Sequence, residues 1–441
     1  MKTAPSESGS ASHTNSHPEP ETESETRSET KAASGRESHS ASAAGLNFEV
    51  LPPEVQQFRN AAREFAHDVV KPRVLPMDQA PAEDFDWQLV SQGHQIGLTR
   101  AAVPKDYGGM GVGMLGVATA LEEVAAVCPG TALIFGATML GQAPVLLSGD
   151  PRLQARFLPL FSGDEPVLAC NAVTEEDAGC DLIIPSQAQY ARNVMTARRA
   201  GDHYVLTGRK RFITNAKIAA FASVFANMEG SPGATGLTSF IVPLDLPGVV
   251  RGPVADKMGY RACLGSELEF HDVRVPAEYM IGGEGEGMAI NMAQSNMARA
   301  AVAGISTGVA RSALERATAW CGERVQGGRH LRHQQFTAAK LAGMAAKVDA
   351  ARLLYLRAAD KVDNELPPPA YEPAVAKLFA DRTAIEVADA ALSLIGARGY
   401  LRSYGVEKTM RDALGTRIYE GTPEVLALAI TDGLYAQEDE W

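Results

Sequence analysis

Ile418-Tyr419-Glu420-Gly421-Thr422-Pro423-Glu424, near the C-terminus, is the stretch on which the reading of this chain turns. A carboxylate there is followed by Gly, Thr and Pro, so the backbone turns tightly before a helical run from Glu424 to Leu434. Glu420 therefore sits on a defined elbow. Alone, the pattern has a plainer meaning, because a Glu just before a helix commonly satisfies free N–H groups and the helix dipole. Whether Glu420 is a catalytic base depends on what stands upstream.

A chain of 441 residues is long enough for two or three packed units with a large core. Its hydrophobic fraction of 45% and charged fraction of 21% are those of an ordinary soluble globular protein. The formal net charge is −12, of which residues 1–45, with four Lys/Arg against seven Asp/Glu, supply −3. A mildly acidic body argues against a nucleic-acid binder, which presents a basic face. It does not select a substrate. Cys128, Cys170, Cys180, Cys263 and Cys321 are odd in number and include no C-x-x-C pair, which argues against a disulfide framework or a zinc site. No run of about 18 apolar residues and no secretory h-region is apparent. The expectation is a cytoplasmic, reducing location without membrane insertion.

Residues 1–45 are Ser, Glu, Thr, Ala and His with almost no large apolar side chain, so a disordered tail is expected, with His13, His17 and His39 as solvated bystanders. From Pro52 the spacing of Val55, Phe58, Ala62, Phe65 and Val69 is helical, and Lys71-Pro72 is expected to end that run. Further helices are expected over Phe85–Ile96, Leu115–Val127 and Leu133–Leu147, with a short one over Pro151–Phe161. Gly111, Gly113 and Gly116 spell G-x-G-x-x-G, but no strand precedes them, and a dinucleotide site is rejected in favour of a tight turn into a helix. Character changes at Pro166. Val167–Val173, Val194–Ala197, Tyr204–Ile213, Ser223–Met228, Ser239–Pro243 and Glu267–Phe270 read as short strands of an antiparallel barrel or sandwich. After Gly287, Met288–Arg324, Gln335–Asn364 and Pro373–Ile395 are long, Ala-rich and periodic, as in a four-helix bundle. The expected fold is mainly α with an inserted β-domain: a helical domain over 46–165, a β-domain over 166–282 and a helical bundle over 283–441.

In this order the chain resembles the acyl-CoA dehydrogenase family of flavoproteins, over about Leu46 to Tyr435, and several motifs carry the resemblance. Val173-Thr174-Glu175-Glu176-Asp177-Ala178-Gly179-Cys180-Asp181 is similar to the family's T-E-P-x-A-G-S-D loop, with Glu176 for Pro and Cys180 for Ser. Lys210-Arg211-Phe212-Ile213-Thr214-Asn215 matches K-x-[WF]-I-T-N. Asp256–Arg261 through Phe270–Pro276 resembles K-x-G-x-R…F-x-D-V-x-V-P, with Ser266 near the position where many relatives place an Arg on the carrier. Arg324-Val325-Gln326-Gly327, followed by Gln335, resembles R-x-Q-F-G. Ser393-Leu394-Ile395-Gly396-Ala397 resembles Q-x-x-G-G, with Ser and Ala replacing Gln and Gly.

The resemblance implies FAD held at Ala172, Val173, Thr174, Gly179, Cys180, Phe212, Ile213 and Thr214. Arg324, Gln335, Ser393, Gly396 and Ala397 would contact FAD of a neighbouring subunit in a homodimer or homotetramer, and Thr422 and Glu424 would add cofactor contacts at the elbow. Cys180, Ser266 and Gly421 are the implied substrate contacts. The implied reaction is α,β-dehydrogenation of an acyl thioester, on CoA or an acyl-carrier protein, with Glu420 removing the α-proton and the β-hydride passing to flavin N5. An electron-transfer flavoprotein is the implied acceptor. An oxygen-using monooxygenase or oxidase of the same fold, and an eroded binding relative, are the alternatives; Glu420 argues against the oxygenase.

Overall fold

The computed structural model describes residues 51–435 apart from Val194, and the expected tail lies outside them. The first part is helical: α1 (Pro53–Phe65), α2 (Val74–Gln79), α3 (Trp87–Gln95), α4 (Gly113–Ala125), α5 (Pro129–Leu147) and α6 (Pro151–Phe157). A sheet follows, made of β1 (Ala169–Ala172), β2 (Thr196–Ala200), β3 (His203–Thr214), β4 (Phe221–Met228), β5 (Leu237–Pro243), β6 (Val249–Val254), β7 (Gly265–Pro276) and β8 (Met280–Ile281). The chain then returns to helix in α7 (Gly287–Glu323), α8 (Gln335–Asn364), α9 (Tyr371–Ile395), α10 (Val406–Thr416) and α11 (Pro423–Tyr435).

Pro53 opens α1, where a missing N–H costs nothing, and Val55, Phe58, Ala62 and Phe65 are buried along one face. Lys71-Pro72 does not stop the run. A π turn over Ala66–Val70 and a 3-10 turn over Lys71–Arg73 carry the chain into α2, with Pro72 in the first turn, where its ring is tolerated. Among the described residues no strand precedes α4, and its first N–H groups are taken: Met114 and Leu115 donate to the Asp363 carboxylate of α8 at 2.6 and 2.9 Å. A carboxylate from the chain itself stands where a dinucleotide phosphate would bind. One sequence expectation needs amending, because α5, at 19 residues, is apolar and long enough to cross a bilayer. Yet 78% of its apolar window is buried, and Ala132, Ile134, Phe135, Met139 and Ala143 of this helix join the core of the first helices.

The strands are ordered β6-β7-β3-β2-β4-β5-β8, with β1 also on β4. Most pairs are antiparallel, but β1 and β2 each run parallel to β4, so the sheet is mixed rather than antiparallel throughout. Long turn-rich connections, not hairpins, bring β1 and β2 to β4, and this permits a parallel pairing. β6 was not anticipated. Its Val-Val-Arg-Gly-Pro-Val carries Gly and Pro and has no clean alternation, which an edge strand tolerates.

Three long helices and α10 share the bundle core, through residues such as Val309, Val348, Val387 and Ala413. A second core runs from Phe58, Leu121 and Phe135 across to Ile305 and Tyr355, joining the first helices to the bundle. Close approach of α4 and α7 depends on glycine: a Cβ at Gly304 or Gly308 would lie 2.6 Å from the carbonyl oxygens of Ala118 and Glu122. Ion pairs reinforce this seam. Glu122 meets Arg352 at 2.6 Å and Arg311 at 3.2 Å, while Glu123 meets Arg59 at 2.8 Å and Arg63 at 2.9 Å.

Candidate active site

The turn between α10 and α11 places Glu420 and Gly421 in succession in the left-handed region, at φ 54° and 97°. Glycine accepts this freely; glutamate does not, so its conformation is held by its surroundings. Helix-start duties fall to other residues. Thr422 and Glu424 hydrogen-bond to each other, and the Leu426 N–H donates to the Thr422 carbonyl at 3.0 Å. Glu420 is thus not the cap of α11. It faces a cavity of about 370 Å³ and is the one acidic residue among the described residues lining it.

Two buried cations flank the elbow. Lys377 of α9 donates to Asp381 at 2.7 Å and to the carbonyls of Thr416 and Gly421 at 3.1 and 3.2 Å. Arg299 of α7 is 4% exposed; it donates to Asn296 at 2.8 Å, while its Nε has no partner among the described groups. Burial pushes the Glu420 carboxyl above the ordinary range, and Arg299 and Lys377 offset part of that rise. Burial lowers the Arg299 guanidinium, and Glu420 and Cys180 act in the opposite sense. Tyr419 packs edge-on to Tyr260, with their hydroxyls 3.3 Å apart, which fixes the residue before Glu420. Neither cation was singled out from sequence. The available signal was a lone charge inside an Ala-rich buried run, as in Ala298-Arg299-Ala300 and Ala376-Lys377-Leu378.

The opposite wall comes from two segments of the sheet domain. Val173, Thr174, Gly179 and Cys180 line the cavity after β1, and Phe212, Ile213 and Thr214 line it at the end of β3. Lys210 ties them together from below: its buried ammonium donates to Glu175 at 2.8 Å and to the Val173 carbonyl at 2.7 Å. Glu176, where the resembled loop has proline, pairs with Arg211, and Arg211 also meets Glu267 at 2.8 Å. Phe212 is 64% exposed at φ 62°, an aromatic residue in a region it rarely adopts, with Arg211 over its ring at 5.2 Å. A strained ring kept open to a cavity, beside a threonine hydroxyl and a turn of backbone, suits a flat heteroaromatic group.

Other expected site residues lie apart from this cavity. Ala172 is buried behind its wall. Ser266 is buried in β7 between Ile213 of β3 and Val254 of β6, and does not reach the cavity, so the substrate contact expected there is not supported. Gly421 does line it. Arg324, Gln335, Ser393, Gly396 and Ala397 are exposed on the bundle. There Ser393, Gly396 and Ala397 border one shallow cleft with Tyr400, and Arg324 and Ala397 border a second with Trp320 and Arg398. Asn171, Asn291 and Ser295, which were not anticipated, line the Glu420 cavity as well.

A sheet domain set between two helical parts, with one carboxylate in the same cavity as a strained aromatic wall, defines a class of helical–sheet–helical oxidoreductases. The chain belongs to the acyl-CoA dehydrogenase family: the family's N-terminal domain matches residues 52–164, its middle domain 170–273 and its C-terminal domain 285–435. Among relatives, it is 36% identical over 375 residues to cyclohex-1-ene-1-carbonyl-CoA dehydrogenase of Syntrophus aciditrophicus, covering 85% of this chain and 88% of that one. It resembles the structure of butyryl-CoA dehydrogenase from Megasphaera elsdenii with a TM-score of 0.81 and 34% identity, over 87% of this chain and 98% of that one. An acyl-CoA dehydrogenase from Bacillus anthracis complexed with FAD matches with a TM-score of 0.80 and 27% identity, over 89% of this chain and 68% of that one.

Proposed function

We propose that this chain catalyses FAD-dependent α,β-dehydrogenation of an acyl thioester, carried on CoA or an acyl-carrier protein, with Glu420 as the base that removes the α-proton. The observation that carries the reading is the placement of Glu420, on a left-handed elbow, in one cavity with Thr174, Phe212 and Thr214. Phe212, Ile213, Thr214 and the Thr174 loop, which line this cavity, would hold the flavin of FAD. The chemistry it supplies when bound is two-electron acceptance of the β-hydrogen.

The chain's own residues do the rest. The cavity walls exclude water, which strengthens a carboxylate base that solvent would leave too weak. Buried Arg299 and Lys377 offset part of the effect of burial on Glu420 and so favour the carboxylate form that accepts a proton. Backbone N–H groups at the elbow are the polarising donors for the thioester carbonyl. Arg324, Gln335, Ser393, Gly396 and Ala397 would hold the far end of FAD bound mainly to a second copy, in a homodimer or homotetramer; their exposure on the bundle surface favours that reading. Electrons would leave to an electron-transfer flavoprotein in the cytoplasm, and the working domain limits are 46–165, 166–282 and 283–441.

Anaerobic mixing of the FAD-loaded protein with acyl thioesters tests the assignment. Bleaching of the flavin is expected, and Glu420→Gln is expected to keep FAD and lose bleaching by about 10³-fold or more, at the upper half of a general base's usual share because the base is essential. Near-normal bleaching in that variant would sink the assignment. Bleaching only by NAD(P)H, with oxygen uptake, would favour an oxygenase.

A further inference from the structure

Along α7 the lining of the Glu420 cavity changes character. Asn291 and Ser295 come first, followed by Ala298, Ala301, Val302 and Ile305. Asn291 donates to the Leu182 carbonyl at 2.8 Å, which places this polar end beside Cys180 and Ile183 at the end of the Thr174 loop. Arg299 marks the level of the base, since a Cβ at Gly421 would lie 3.7 Å from its Nη2. The cavity is therefore polar on one side of Glu420 and apolar on the other. A thioester that presents its α-carbon to Glu420 lays its amide-bearing carrier arm on the polar side and its acyl group on the apolar side.

That apolar side is shallow. Ile305 stands about 9 Å beyond Arg299 along the helix, at about 1.5 Å per residue. There Ile305 meets α4 and α5: a Cβ at Gly136 would lie 3.5 Å from Leu121 Cδ1 and 3.6 Å from Ile305 Cδ1. Contact of these side chains closes the floor. Above it small residues open room between the helices, with Gly136 and Ala137 on α5 and Ala298 and Ala301 on α7, set among the larger Leu133, Met139, Leu140 and Val302 that also line the cavity. Small residues on both helices make the cavity wide where it is short.

We infer that the acyl group is compact, reaching no further than about seven carbons and branched or ring-bearing near C3 to C5, and that Leu121, Gly136 and Ile305 set this limit. The inference rests on the dehydrogenase reading above. Leu121 and Met139 also border a small void behind the floor, lined by Phe58 and Phe135 and of about 10 Å³, so the floor is thin at Leu121.

Single-turnover flavin bleaching of the FAD-loaded full-length protein tests this with cyclohexanecarbonyl-, 3-methylbutyryl-, butyryl-, dodecanoyl- and palmitoyl-CoA. At least one of the two bulky compact thioesters should outpace dodecanoyl and palmitoyl by about 100-fold and butyryl by several-fold. Equal or faster bleaching by either long chain overturns the depth limit, and faster bleaching by butyryl than by both bulky substrates overturns the width. Bleaching by none of the five acyl groups, offered on CoA and again on an acyl-carrier protein, overturns the dehydrogenase reading and this inference with it. Two variants assign the limit to the named residues, each compared after FAD absorbance and circular dichroism show a loaded, folded protein. Leu121→Ala should open the floor into the void and move the preferred straight chain up by about two carbons, whereas Gly136→Val should slow the ring-bearing thioester about 10-fold more than butyryl. An unchanged chain-length and branching profile in both folded variants removes Leu121 and Gly136 from the argument and overturns it.

Discussion

Replacing Lys377 with methionine tests how the elbow is held. The side chain is wholly buried, and its single ammonium spans the last turn of α10, at Thr416, and the residue after the base, Gly421. Methionine keeps much of the length and loses all three donors. The substitution leaves Asp381 with only Ser306, at 2.7 Å, among its described side-chain partners, and strands two backbone carbonyls. Breaking one side of a buried ion pair costs about 3–5 kcal/mol. In a chain of this size each kcal/mol is about 1 °C, so a fall in Tm of about 3–6 °C is expected. If Glu420 is the proposed base, loosening it by about 1 Å should cost about 100-fold in rate, to be read as anaerobic bleaching of the loaded variant below its melting range. A third readout separates positioning from general damage. Lys377 is one of two cations that offset the effect of burial on Glu420, so its loss should move the rise of the pH–rate profile to higher pH. Lys377→Arg should retain more of the charge effect than of the geometry, and Lys377→Met with Asp381→Leu should regain part of the lost stability. A folded Lys377→Met protein with the parent's bleaching rate and pH profile would refute the reasoning.

Three further outcomes follow from the same physics. Glu420 has a carboxyl raised by burial, so its contribution to stability is fully present at low pH and lost as the pH rises through its folded pKa. Glu420→Gln should therefore melt progressively higher than the parent as the buffer moves above the usual carboxylate range, and a constant difference across pH would contradict this. Burial alone would raise Glu123, but Arg311, Arg63 and Arg59 outweigh it and hold its carboxyl well below the ordinary range. Glu123→Gln should cost about 3–5 kcal/mol at neutral pH, measured by urea unfolding, with the deficit closing as acid protonates the parent's carboxylate. Arg324→Ala removes an exposed guanidinium whose only described side-chain hydrogen bond is to Gln326 at 3.0 Å. It should weaken FAD retention on gel filtration while leaving the Tm of the FAD-free protein within about 1 °C.

The long helices were legible because their apolar spacing and Ala content admit no other structure, and α8 has the expected limits, Gln335–Asn364. The elbow was legible as a turn, since Glu-Gly-Thr-Pro has few ways to run. That Glu420 faces a cavity, however, was not in its own seven residues. It depends on Thr422 and Glu424 taking over the helix start and on Lys377 anchoring Gly421 from a helix 44 residues upstream. Arg299 and Lys377 escaped notice because an isolated charge in an Ala-rich stretch looks like a solvated face until packing closes around it. Parallel pairing of β1 and β2 with β4 was hidden for a related reason: local alternation shows that a segment is a strand but not which way its neighbour runs.

The exchange of proline for Glu176 has a consequence beyond the loop itself. A proline ring stiffens a backbone covalently and is indifferent to the solution around it. Here the stiffening comes from a clasp in which Glu176 grips Arg211 and Arg211 in turn grips Glu267, with Glu176 about half exposed to solvent. Counter-ions compete for such a clasp. This wall of the cavity is therefore expected to be firmer in dilute salt than in concentrated salt, so the brine around the protein should act as a control on how tightly a bound flavin is held.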